Sequence, residues 1–455
     1  MDIADRLDKA LQYSTADLSI LRWMKRDQIK TTLVDGVPHS FHQITSQGAG
    51  CRSLVNGSWG FSSTTNVIDA PDIVKTAERL ARLSLHGENI EIADAQPVSG
   101  RWNPQIEPVT ISDTDTLAEL IREADQACKS VPHIVSTTVG ILIVTDEKVM
   151  VTSEGAHIHQ IEPRILGTVN VIAKDAGKIS KGTETVGGEN GLELFEKGYL
   201  KDTALTLAQK VSRRLHATLP PSGKTPVVLS GDVVGLLVHE AVGHAAEADI
   251  AQCESFLSNK IGEDVASSVI SIVDDGTLPG GFGTYGFDDE GVPSEKTFII
   301  INGILKNYLH SRETAYRSNT VSTGNARAWL FSREPNVRMS NTYLIPQDMS
   351  FEELLEEVKN GLYLSGDKGG SADRNGQFMF VTSGAQSIRK GELIEEYFVG
   401  PTISGNALEA FTKCTGVGDK DTFVLRPALC GKGESAFVGS GGPSMTTQVM
   451  VGGFL

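Results

Sequence analysis

Apolar residues fall at two spacings along this chain, and each spacing predicts its own kind of element. Helical spacing holds for Ile3, Leu7 and Leu11 in residues 2–12, for Ile73, Ala77, Leu80 and Ala81 in 71–85, and for Leu117, Leu120, Ile121 and Ala124 in 116–128. Each of these segments predicts an amphipathic helix, and Pro71 suits the first turn of the second, where its missing N–H costs nothing. A longer amphipathic helix is predicted over 199–215. Short strand-like runs at 29–34 and 51–55 each end in a tight-turn pair, Asp35-Gly36 and Asn56-Gly57, which hairpins favour. Residues 141–145 and 149–152, separated by Asp146-Glu147-Lys148, predict another hairpin, and 169–173 a further strand.

Leu219-Pro220-Pro221-Ser222-Gly223-Lys224 then interrupts the pattern. Two prolines and a glycine end a helix and mark a linker, so a domain boundary is expected there, between 1–219 and 220–455. Beyond it short strands and polar turns dominate, ending in a glycine-rich tract. Helices are predicted at 232–247 and at 350–358, the second opened by the capping pair Ser350 and Glu353.

Composition narrows the function. At about 150 residues per domain, 455 residues suggest two or three domains, and 40% hydrophobic with 22% charged residues is ordinary for a globular chain. Forty-one basic against 57 acidic residues leave a net charge of −16, the wrong sign for a nucleic-acid or anionic-membrane binder. Five scattered cysteines make no secreted disulfide framework. The N-terminus is acidic, and the charge-free stretches 130–145 and 435–455 are too polar or too rich in glycine to span a bilayer. A cytoplasmic protein with reduced thiols is expected.

The chemistry concentrates in 232–249, DVVGLLVHEAVGHAAEAD. Two histidines and a glutamate in an apolar helix cost desolvation unless something compensates them. A divalent metal does so, with neutral imidazoles as ligands and a carboxylate as base; a hydrogen-bonded core pair is the plainer alternative. His239 and His244 are five apart, roughly 140° around a regular helix, too splayed to share one ion. A π-turn at Gly243 would reunite them. A regular helix would instead align Glu240, His244 and Glu247. The spacing leaves both geometries open. A further ligand must come from elsewhere, and Cys430 stands out beside Lys432, since a nearby cation favours the thiolate.

Three more stretches are candidates. Residues 280–286, GGFGTYG, read as a glycine-rich strand open to backbone pairing with an extended peptide, followed by the acidic turn 288–293. In 308–315, His310 and Arg312 are possible hydrogen-bond donors to an oxyanion. The loop 323–327 is polar and turn-like.

His239-Glu240-Ala241-Val242-Gly243-His244 resembles the His-Glu-x-x-x-His motif of the TldD/PmbA metalloproteases. Residues 48–62 (GAGCRSLVNGSWGFS), the 288–293 turn, 309–315, Arg338-Met339-Ser340-Asn341-Thr342-Tyr343 and Cys430-Gly431-Lys432 also fall in family order. The resemblance spans nearly the whole chain and points to the catalytic, TldD-type branch, because the PmbA-type partner generally lacks the histidine motif. It implies an α+β fold with an N-terminal α/β domain and a strand-rich C-terminal domain bearing zinc. Carried over residue by residue, it makes His239, His244 and Cys430 the ligands and Glu240 the general base for metal-activated water. It further implies a homodimer, or a heterodimer with a PmbA-type subunit, acting on unfolded or short peptides. Gly283, Tyr285 and His310 are the expected substrate-binding residues; neither nucleic acid nor membrane is an expected partner. After Cys430-Gly431-Lys432 the chain departs from the family pattern with Gly433-Glu434-Ser435. The competing expectation is a non-catalytic, peptide-binding or chaperone-like subunit whose His-Glu helix serves only packing.

Overall fold

The computed structural model describes residues 2–84, 89–104, 106 and 113–453; Leu85, at the end of a predicted helix, and the last two residues of the charge-free stretch 435–455 lie outside them. In chain order the first half runs α1 (Ile3–Leu11), β1 (Leu18–Val34), β2 (Val37–Val55), β3 (Ser58–Thr64), α2 (Ala70–Leu83), β4 (Ser99–Trp102), α3 (Thr114–Lys129), β5 (Ile134–Thr152), β6 (His157–Asp175), β7 (Lys178–Gly188), α4 (Glu193–Glu196) and α5 (Tyr199–Arg213). The strands form one sheet in the order β3-β2-β1-β5-β6-β4, with β7 also pairing β6.

Strand alternation decides what each face meets. Odd-numbered residues of β1 and β5, such as Leu21, Trp23, Ile29, Leu33, Val139, Ile141 and Val151, pack under α1 and α2 at one end and α3 and α5 at the other. Even-numbered residues face the second half: Ile20 and Met150 meet Phe287, and Val144 meets Phe282 and Phe437.

The predicted hairpin at 141–152 is instead one continuous strand, β5, paired along its length with β1 and β6. Asp146 and Lys148 resemble turn residues in sequence because their partners lie on neighbouring strands. Asp146, 1% exposed, receives Arg26 through two hydrogen bonds of 2.6 and 2.7 Å. Lys148 lies 2.8 Å from Glu162 of β6. The acidic turn at 288–290 joins the same buried network, with Asp289 2.7 Å from Arg22 and Glu290 3.1 Å from Arg52. It is an ion-paired seam between the halves and not a solvated loop.

The second half continues with β8 (Gly223–Leu229), α6 (Gly231–Leu237), a π-helical segment (Val238–Gly243), α7 (His244–Ala246), α8 (Ala248–Ala251), β9 (Ile272–Asp275), β10 (Lys296–Ile301), β11 (Ile304–Leu305), α9 (Arg312–Arg317), β12 (Ala326–Arg327), β13 (Asn336–Val337), β14 (Asn341–Leu344) and α10 (Phe351–Val358). It ends with β15 (Asn360–Ala372), β16 (Gln377–Arg389), β17 (Glu392–Val399), β18 (Pro401–Asn406), α11 (Ala407–Thr412), β19 (Val424–Lys432), β20 (Glu434–Gly442) and β21 (Met445–Gly453). One sheet runs β11-β10-β9-β14-β20-β19. A second, β15-β8-β21-β18-β16-β17, closes on itself through β15 and β16, and β12 and β13 pair by themselves. The fold is α+β.

Every residue of α6 is buried. Its two glycines, Gly231 and Gly235, rest on the backbone of β20 at Gly442 and Gly441, where a Cβ would collide. They fix the depth at which the following segment lies.

Replacing Asp146 by Ala strands Arg26 in the seam, and loss of one partner of a buried pair typically costs about 3–5 kcal/mol. The Asp146→Ala chain is therefore expected to unfold at clearly lower denaturant; a midpoint equal to wild type would refute the seam.

Candidate metal centre

Ser230 N–H, just after β8, donates to Leu364 of β15, and α6 follows directly. From Val238 to Gly243 the helix widens into a π-turn, and the extra residue per turn removes the splay that a five-residue spacing produces on a regular helix. The His239 and His244 rings stand 5.1 Å apart between centroids at an interplanar angle of 77°. Gly243 itself has ordinary helical dihedrals; a glycine is required because a Cβ would run into Met339 Sδ. Cys430, paired with Ala436 across the β19–β20 hairpin, brings its Sγ to 3.2 Å from His244 Nε2. One donor atom each from His239, His244 and Cys430 lies within 4.8 Å of the others.

Two imidazoles and a thiolate could hold a divalent ion with a position left open, and the surroundings fit such an ion. His239 is buried, and its Nδ1 has no hydrogen-bond partner among the described residues. Burial opposes a charged Cys430, but hydrogen bonds and charge from His239 and His244 outweigh it and hold the thiol down to about 5. Burial likewise opposes a charged His244, yet Cys430 and Glu247 raise its imidazole to about 10. A thiolate is the form that binds a metal.

Glu240, half-buried within the π segment, has no hydrogen-bond or ion-pair partner among the described residues. Glu247 is not a member of the donor group. It leaves the helix in extended conformation, and its Oε2 lies 3.0 Å from His244 Nδ1. Of the two geometries open at the sequence level, the structure adopts the one with the π-turn. Arg338 sits behind the site, donating at 2.7 Å to the Cys430 carbonyl and at 2.8 Å to that of Glu434. Neither spacing nor composition signals that role for Arg338; only its final position does.

The glycine-rich segment 280–286 is not a strand. Successive turns close at Gly281 and Thr284, and Gly281 and Gly283 allow Asn341 and Ser340 to pack where a Cβ would stand. The Gly283 N–H, which an extended peptide would need, donates to Asn341 at 2.9 Å, and the Tyr285 hydroxyl donates to the Gly324 carbonyl at 2.7 Å. Both residues are buried, so neither offers the free strand edge expected of them. His310 is buried too, with Nδ1 3.2 Å from Thr314 Oγ1. It lines a cleft of about 1080 Å³ together with Gln252, Phe298, Tyr308 and Thr323. That cleft opens just past α8 and does not contain the three donors.

Three family models match end to end: PmbA/TldA metallopeptidase domain 1 over residues 21–84, the central domain over 107–219 and the C-terminal domain over 222–453. The chain belongs to the PmbA/TldD metallopeptidase family. A metalloprotease of Methanothermobacter thermautotrophicus is 36% identical, covering 100% of this chain and 97% of the relative. The TldD homolog of Haemophilus influenzae is 31% identical over 92% of this chain and 90% of its own. Among solved structures, a putative modulator of DNA gyrase from Thermotoga maritima superimposes with a TM-score of 0.82 at 21% identity, covering 99% of each chain. TldE from Thermococcus kodakarensis gives 0.79 at 18% identity, again over 99% of each. These two likenesses show that the chain shares their fold. No helix among the described residues is long and apolar enough to cross a membrane.

Burial holds His310 down to about 4, below its ordinary 6.5. Its folded-state pKa is depressed, so the neutral ring's contribution is complete above pH 6.5 and is lost as pH falls toward 4. Stability is expected to drop by roughly 3 kcal/mol across that window from this residue. His310→Gln should flatten that limb in denaturant titrations, and an unchanged slope would show that the ring does not resist protonation.

Proposed function

We propose that the chain is a zinc-dependent peptidase of the TldD type that hydrolyses peptide bonds in unfolded or short peptides. The observation that carries this reading is the convergence of His239, His244 and Cys430 beside an unpartnered carboxylate, Glu240. Its metalloprotease relatives support the same class.

A divalent ion on these three donors would supply Lewis-acid polarisation of a carbonyl and lower the pKa of a water molecule. Glu240 takes the water proton and returns it to the leaving nitrogen, the work of a carboxylate free of other partners. Glu240 is carried on the same π-turn as His239, so base and ligand are set by one piece of backbone. His310, neutral and lining the neighbouring cleft, would bind a stretch of the peptide away from the three donors. Residues 1–219 form the α/β body and 220–455 the metal-bearing domain. The chain works as a homodimer, or as a heterodimer with a PmbA-type subunit.

Metal analysis and cleavage of an unstructured fluorogenic peptide test this reading together. Wild type is expected to carry zinc and to cleave. Glu240→Gln should keep the metal and lose about 10²–10⁴-fold in rate, the usual contribution of a general base, while His244→Ala should lose both. Equal cleavage by wild type and Glu240→Gln would eliminate the mechanism. A metal-free wild type whose peptide affinity is untouched by His239→Ala would make the chain a binding subunit instead.

A further inference from the structure

Glu247 has no solvent exposure at all, and a fully buried carboxylate is costly unless charges and hydrogen bonds surround it. Its backbone is pinned: it bridges Leu309, whose N–H and carbonyl bond Ala246 and Ala248 on either side. Its Oε2 faces His244 Nδ1 at 3.0 Å and Lys432 Nζ at 3.0 Å. Among the described residues its Oε1 has no hydrogen bond, and Arg338 Nε lies 3.9 Å from the carboxylate. Lys432 is itself held by Asp249 at 2.7 Å and by the Val337 carbonyl at 2.9 Å. An ionised carboxylate only accepts hydrogen bonds, so the proton of a neutral His244 ring sits on Nδ1. Nε2, 3.2 Å from Cys430 Sγ, is then left with its lone pair toward the other donors.

We infer that Glu247 is a positioning residue that fixes the tautomer and ring orientation of His244, and that Lys432 holds Glu247 in that pose. The inference rests on the metal reading above and adds to it which residues make the donor set rigid. Lys432 sits two residues beyond Cys430 on the same strand. The cation that orients the carboxylate behind one ligand is therefore tied by the chain to another ligand.

Zinc affinity, measured by chelator competition on the full chain, and the visible bands of the Co²⁺-loaded protein test this without reference to activity. Outer hydrogen-bond partners of metal-bound histidines typically contribute 10–100-fold in affinity. Glu247→Ala is expected to weaken zinc binding by about that factor and to shift the Co²⁺ bands. Glu247→Gln preserves shape and an acceptor, so it should fold where Ala does not, and it should show a smaller loss. Lys432→Met, which leaves the carboxylate in place, should also weaken binding. Zinc affinity within twofold of wild type in both Glu247→Gln and Lys432→Met, with unshifted Co²⁺ bands, would overturn the inference and leave Glu247 a structural ion. If wild type itself takes up neither ion, or takes them up regardless of His239, His244 and Cys430, it is the metal reading that fails, and this inference with it.

Discussion

A single inserted residue in a buried helix governs the geometry of this protein's site. Five positions separate His239 from His244, and only the π-turn puts both rings beside Cys430. A π-turn weakens the helical ladder locally, so it persists where packing over-determines it. Here α6 presses its glycine face onto β20, and Met339 fills the space at Gly243. β20 is the hairpin partner of β19, which carries Cys430. Helix and hairpin are thus one rigid unit, and the distances among the donors follow from backbone contacts rather than from flexible side chains.

Much of this was legible in the sequence, for reasons that differ from residue to residue. The helices at 70–83, 114–129 and 199–213 announce themselves because one face of each packs on a sheet and the other meets water, giving a clean 3.6-residue period. Turn pairs such as Asp35-Gly36 mark hairpins because both residues adopt positive φ. The reading failed where polarity came from partners distant in sequence. Asp146-Glu147-Lys148 imitates a turn until Arg26 and Glu162 are brought beside it by neighbouring strands. Gly280 to Gly286 imitates an open strand, whereas its glycines serve close packing against Ser340 and Asn341.

The site shows the same division. Spacing alone left two ligand sets open, because an isolated helix has no way to choose between an α-turn and a π-turn. The choice is made by the packing of α6 on β20 and of Gly243 on Met339, partners remote in sequence. Lys432 drew attention to Cys430 as a neighbouring cation, but its ammonium reaches Glu247 and Asp249 rather than the thiol. The sequence singles out Cys430 for a neighbouring cation, whereas in the structure it is the β19–β20 hairpin that brings its thiol to the two histidines.

Charge balance connects these features. Held at about 5, the Cys430 thiol is ionised at neutral pH, and His244, held at about 10, is its protonated partner. Glu247 and Lys432 form a second opposed pair directly behind. A buried site of this kind is electrically closed as long as His244 keeps its proton. A divalent ion in place of that proton raises the local charge by one unit, and metal binding to such ligands is coupled to proton release. Glu240 is the carboxylate in the π segment with no partner of its own among the described residues. In the proposed reading that free carboxylate takes the proton from water, and the π-turn that carries it also carries His239.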